Sequence, residues 1–85
     1  LALFAEGSVR WLVTDDTRNL LAYERALGDQ RAIVVFNNAD RRQTLAVAAE
    51  GRYRAAYPAG DAVSASGGKL TADLPPRSAR VWLRE

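Results

Sequence analysis

The 85 residues read as one small all-β domain, an antiparallel β-sandwich or small barrel of about seven or eight short strands. Three observations predict this. Turn-forming clusters punctuate the chain at intervals of roughly 8 to 12 residues, the spacing of sandwiches and small barrels. Between them apolar and polar residues alternate with period two, which sends successive side chains to opposite faces of a pleated strand. Few of the intervals leave room for a helix of ordinary length.

The elements follow in order. In the first strand Val9, Trp11 and Val13 alternate with Arg10 and Thr14, and Leu12 makes the second face partly apolar. The Asp15-Asp16-Thr17-Arg18-Asn19 turn leads to a second strand with Leu21, Tyr23 and Leu27 on one side and Glu24 on the other. After Gly28-Asp29-Gln30 comes Ala32-Ile33-Val34-Val35-Phe36, apolar on both faces. A strand of that kind lies centrally or is covered by something further. If one face meets the core, the other, carrying Val34 and Phe36, must meet a second layer or a neighbouring domain, because exposure would leave an apolar patch.

Asn37-Asn38-Ala39-Asp40 reads as the next turn, followed by a strand carrying Leu45 and Val47. Helix-favouring alanines surround these two, but Gly51 ends the run before a second turn could offset nucleation. Tyr53, Ala55 and Tyr57 share a face; Gly60-Asp61 and Ser66-Gly67-Gly68 read as turns; Leu70, Ala72 and Leu74 share the next face. Pro75-Pro76-Arg77-Ser78 turns into a last strand, with Ala79, Val81 and Leu83 on the core side and Trp82 out of phase between Arg80 and Arg84. No internal repeat or linker appears.

Composition narrows the chemistry. With 48% hydrophobic residues the chain can pack a core, although a domain of this size removes only about 60 to 65% of the surface of its extended chain. It has no cysteine and no histidine, so it offers no disulfide, no thiolate or imidazole metal ligand, and no imidazole proton shuttle. No cofactor is expected. Lack of cysteine fits a reducing compartment and so favours a cytoplasmic parent, although many secreted bacterial domains also manage without disulfides, which leaves the compartment open. Net charge is +2, with basic and acidic residues interleaved; a nucleic-acid binder concentrates its basic residues, so none is expected as a partner. No apolar run approaches the ~20 residues of a helical membrane span, so no membrane partner is expected. Leu1-Ala2-Leu3-Phe4 reads as the tail of an apolar element begun upstream.

Ser8-Val9-Arg10-Trp11-Leu12, the Asp15-Asp16 turn, Leu20-Leu21-Ala22-Tyr23-Glu24-Arg25, Arg31-Ala32-Ile33-Val34-Val35-Phe36-Asn37-Asn38-Ala39 and the closing Lys69-Leu70-Thr71-Ala72-Asp73-Leu74-Pro75-Pro76-Arg77-Ser78-Ala79-Arg80-Val81-Trp82 occur in one order over some 70 residues. In that order they resemble the C-terminal domain of glycoside hydrolase family 13, the α-amylase family, and within it neopullulanases, cyclomaltodextrinases and related α-glucosidases. The resemblance implies an eight-stranded antiparallel sandwich with a Greek-key element, spanning residues 8–85. Residues 1–7 would be the exit from the last helix of an N-terminal (β/α)8 catalytic barrel. That barrel is the implied partner, the parent acting on starch, pullulan or maltooligosaccharides. The catalytic carboxylates of such enzymes lie in the barrel, and none of their motifs occurs here, so no catalytic residue carries over.

The remaining candidate residues weigh toward structure. Asp15 and Asp16 are the one adjacent carboxylate pair, but glycoside hydrolysis needs two carboxyls about 5 to 9.5 Å apart across a sugar. Capping of nearby backbone N–H groups in a turn accounts for them better. With Asn19 they supply too few of the six to eight or so oxygens that calcium takes. Arg52-Tyr53-Arg54 would put its aromatic and basic groups on opposite faces, unlike a nucleic-acid platform. Trp11, Tyr23, Tyr53 and Tyr57 share phase with apolar neighbours and are expected in the core. Trp82, expected to leave it, either packs on the barrel or stacks on an α-glucan, and together with Val34 and Phe36 it forms the expected contact set. A glucan-binding module and an immunoglobulin-like interaction domain are the alternatives, since a sandwich alone does not fix function. In isolation the apolar face is expected to drive self-association.

Overall fold

The computed structural model describes residues 7–57 and 59–85, with only the backbone described at residues 57 and 59–63. Eight strands follow one another: β1 (Ser8–Asp15), β2 (Leu20–Leu27), β3 (Gln30–Asn37), β4 (Gln43–Ala48), β5 (Arg52–Tyr57), β6 (Ala59–Ser64), β7 (Lys69–Leu74) and β8 (Ser78–Arg84). They form a six-stranded sheet in the order β1-β2-β3-β8-β5-β6 and a two-stranded sheet of β4 and β7, with every pairing antiparallel. The chain crosses between the sheets after β3, β4, β6 and β7, and β8 returns between β3 and β5 as the Greek-key element. Most of residues 1–7, the expected barrel exit, lie outside the described residues.

Turn chemistry is local. Asp15 Oδ1 accepts the Arg18 amide at 3.0 Å, and Asn19 takes a positive φ of 54°, which closes β1 onto β2. Asparagine tolerates that left-handed conformation better than most residues. The Gly60-Asp61 pair is not a turn: the backbone there runs within β6.

The core lies between the sheets. Leu20, Ala22, Ile33, Val35, Tyr53 and Trp82 project from the larger sheet, and Leu45, Val47, Leu70, Ala72 and Leu74 cover them from the smaller one. On β4 and β7 strict alternation of buried and exposed positions matches the expected faces.

On the larger sheet the phase is inverted in three strands. Trp82 is 3% exposed and belongs to the core, opposite Ile33 on β3 and Ala55 on β5. Ala79, Val81 and Leu83 then occupy the outer face. On β2 the core residues are Leu20 and Ala22, so Leu21, Tyr23 and Leu27 face outward and Glu24 inward. On β1 the pairing slips between Trp11 and Val13, a bulge that returns Val13 to the core side and leaves Trp11 outside, 59% exposed. An extra residue in one strand shifts every later side chain to the other face. Trp11 is therefore not the core residue its phase suggested, whereas Tyr53 is; the side chain of Tyr57 lies outside the described residues.

A polar knot fastens one end of the sandwich. Asn37, fully buried, donates from Nδ2 toward the carbonyls of Arg41, Leu74 and Pro75 at 2.8, 3.2 and 3.0 Å. Its Oδ1 accepts from Ala39 N at 3.1 Å and Gln43 Nε2 at 2.9 Å. Gln43 in turn bonds the Arg18 carbonyl at 2.6 Å and accepts from Arg18 Nε at 3.2 Å. The knot joins the β1–β2 turn, the β3–β4 crossing and the end of β7, and leaves no polar atom of Asn37 unpaired.

Candidate functional site

The outer face of the six-stranded sheet is its most conspicuous feature. The register aligns Trp11, Tyr23, Val34 and Val81 in one row across β1, β2, β3 and β8, and Thr14, Leu21, Phe36 and Ala79 in the adjoining row. Trp11 meets Tyr23 edge to face with ring centroids 5.5 Å apart, and Tyr23 lies tilted 6.4 Å from Phe36. These spacings fall in the favourable range for aromatic pairs. Val9, 47% exposed, extends the surface along the edge strand.

A sandwich normally turns polar side chains outward on each strand. Here both faces of β3 are apolar, since Ile33 and Val35 enter the core and Val34 and Phe36 join the outer face. Clusters of exposed aromatic and apolar side chains mark interaction surfaces in folded proteins. Of the three expected contact residues, the fold sets Val34 and Phe36 on this side of the sheet, with Val34 itself only 5% exposed, and buries Trp82 on the other side. Trp11 and Tyr23 take its place. The bulge that exposes Trp11 carries no distinct signal in Val9-Arg10-Trp11-Leu12-Val13, apart from the consecutive apolar residues Trp11-Leu12-Val13 that break the alternation.

The aromatic and aliphatic side chains gathered on this face are suited to contact. Among the described residues no three carboxylate, imidazole or thiol groups come together as metal ligands. The ion pairs are distributed over the surface: Arg10 with Glu24 at 3.2 Å, Arg42 with Asp73 at 3.1 Å, Arg52 with Glu85 at 3.2 Å, and Arg77 with Asp40. The hydrogen bond from Arg77, and then its charge, hold the Asp40 carboxyl below its ordinary range. The pair spans two turns, because the Arg77 amide also donates to the Ala39 carbonyl at 3.0 Å.

A family model for the C-terminal domain of maltogenic amylase matches residues 9–81. Among solved structures, an Anoxybacillus α-amylase superposes with a TM-score of 0.81 and 21% identity, over 98% of this chain and 19% of that one. The α-amylase of Geobacillus thermoleovorans, complexed with acarbose, gives a TM-score of 0.84 and 20% identity, over 100% and 20%. AmyP in complex with maltotriose gives 0.83 and 17%, over 99% and 17%. At these identities the likeness shows a shared fold, and the chain spans at most a fifth of the length of each structure. No curated protein gives a significant match.

Proposed function

Because the chain belongs to the family of maltogenic amylase C-terminal domains, we propose that it is the non-catalytic accessory domain of an α-amylase-type glycoside hydrolase and stabilises the catalytic (β/α)8 barrel by docking against it. The parent acts on starch, pullulan or maltooligosaccharides. The observation that supports docking is the apolar outer face of the six-stranded sheet, where exposed Val9 and Trp11 adjoin half-buried Tyr23 and Phe36. Burying such a surface removes apolar area from water at about 25 cal/mol per Å2. On this reading the segment before β1, residues 1–7, is the exit from the last barrel helix, and the domain proper is residues 8–85.

The domain contributes area and rigidity, and no reacting group. It has neither histidine nor cysteine, and Asp15, half of its adjacent carboxylate pair, caps the turn between β1 and β2. Incubation of the purified chain with maltooligosaccharides is expected to release no reducing ends; measurable hydrolysis would contradict the accessory role.

One observation favours a second reading, contact with α-glucan. Trp11, with more than half of its surface exposed beside Tyr23, has the form of a stacking platform, a role that buried Trp82 cannot fill. The two readings separate in titration of the chain with maltoheptaose. Docking alone leaves the tryptophan fluorescence unchanged at millimolar sugar, whereas a saturable change that Trp11→Ala removes would establish the platform.

A further inference from the structure

On the opposite side of the six-stranded sheet from the apolar face, the sandwich is open at one end, and charged side chains occupy positions facing between the sheets. A cleft of about 460 Å3 is lined there by Arg10, Glu24, Arg31, Tyr53 and Arg84 from the larger sheet, by the end of β4, and by Glu50 and Gly68 from the connections beyond β4 and before β7, so three guanidinium groups face two carboxylates. The inward orientation follows from register: Glu24 pairs with core Ile33, and Arg84 with buried Tyr53. The far wall is fixed by the hydrogen bond from Ala49 N to the Gly68 carbonyl at 3.0 Å.

The charges in this cleft are only partly matched. Arg10 pairs with Glu24, whose side chain is only 15% exposed. Arg31 uses Nη1 to hold the Gly28 and Gln30 carbonyls at 2.6 and 2.8 Å, which fixes its guanidinium while leaving Nε and Nη2 available. Neither Arg31 nor Arg84 has a carboxylate within ion-pair distance among the described residues. The Arg84 guanidinium lies beside Gly51, whose φ of +96° suits glycine. Tyr53, 2% exposed, borders the cleft. Burial, and then the Glu24 charge, push the phenol above its ordinary value, so it remains a neutral O–H donor.

We infer that this cleft binds a small oxyanion, a phosphate or carboxylate group, between the guanidinium groups of Arg31 and Arg84 with Tyr53 donating from the cleft wall. Guanidinium forks match the geometry of such oxyanions and bind them by charge-assisted hydrogen bonds. Glu24 is matched by Arg10, and the one other carboxylate of the lining, Glu50, forms no ion pair with Arg31 or Arg84 among the described residues, so the cleft keeps a net positive charge. The site is independent of the docking face and stays open when the other side of the sheet is covered.

The test is titration of the 85-residue chain with inorganic phosphate at constant ionic strength, followed by amide and arginine Nε resonances. Saturable shifts are expected at residues 49–53 and at Arg31 and Arg84. Arg31→Gln and Arg84→Gln, each checked for a native-like spectrum, should weaken binding about tenfold or more. Arg84→Lys, which keeps the charge without the fork, should recover only part of it. Arg42→Gln removes the same charge at the opposite end of β4 and should bind as the unmodified chain does. The inference is overturned if phosphate produces no saturable shift, if Arg42→Gln weakens binding as much as Arg84→Gln, or if neutral maltotriose shifts the same resonances equally. Acetate in place of phosphate distinguishes a carboxylate ligand from a phosphate one.

Discussion

Trp11 and Trp82 lie on opposite faces of the same sheet, one mostly exposed and one in the core. Trp82→Ala should cost about 3 to 5 kcal/mol, enough to unfold much of a small domain, while Trp11→Ala should stay within about 0.5 kcal/mol in the isolated chain. Urea denaturation of the two variants checks the contrast. Asn37 is as consequential as either: Asn37→Ala leaves Ala39 N, Gln43 Nε2 and the Leu74 carbonyl without that partner, and should lower stability by on the order of 3 kcal/mol in the same assay. From the sequence Asn37-Asn38 looked like an ordinary turn, yet Asn37 ends β3 in phase with Ile33 and Val35, which was the legible sign that it points inward. Asp40 carries a pH dependence. Arg77 lowers its folded pKa below the ordinary 3.8, so its contribution is complete above about pH 4 and is lost as pH falls through the lowered value. Thermal melts between pH 5 and 2 should show an acid-side loss that is smaller in Asp40→Asn.

At the level of elements, strand positions were legible because period-two patterning and turn residues report them directly, and the faces of β4 and β7 were legible because only one of their faces is apolar. In β1, β2 and β8 the assignment inverted for a physical reason. Where one face packs on the core and the other is apolar as well, alternation reveals that there are two faces but not which is inside. The bulge between Trp11 and Val13 compounds this by changing phase within one strand. At β6, Gly60-Asp61 imitates a turn because both residues are rare in strand interiors. The doubly apolar β3 was the one strand that announced the second face beforehand. That face should make the isolated chain self-associate: sedimentation velocity is expected to show a concentration-dependent rise in mass that Trp11→Lys removes, since a charge at the centre of an apolar contact is desolvated without a partner. A monomer at every concentration would mean that the face is too small to associate by itself.

At the scale of the whole molecule, the fold fits the proposed role of a domain that supplies a surface to a larger protein. Its core is thin, formed by a two-stranded sheet over part of a six-stranded one, and the outer side carries a row of aromatic and branched residues. Docking would bury Val9 and Trp11, which stand exposed on that side, and the same burial would stabilise both partners. The charged end of the sandwich, with its Arg31 and Arg84, was invisible in the sequence because residues from β3 and β8 meet only through the pairing of distant strands. The most direct test of docking uses the two tryptophans, the only two in the chain, labelled with 5-fluorotryptophan and observed by fluorine NMR while the separately produced catalytic barrel of the parent enzyme is added. The Trp11 resonance should be sensitive to solvent isotope in the free chain, then shift and lose that sensitivity on binding, while Trp82 stays insensitive throughout. If the barrel is added to excess and the Trp11 resonance neither moves nor loses its isotope effect, the outer face is not the docking surface.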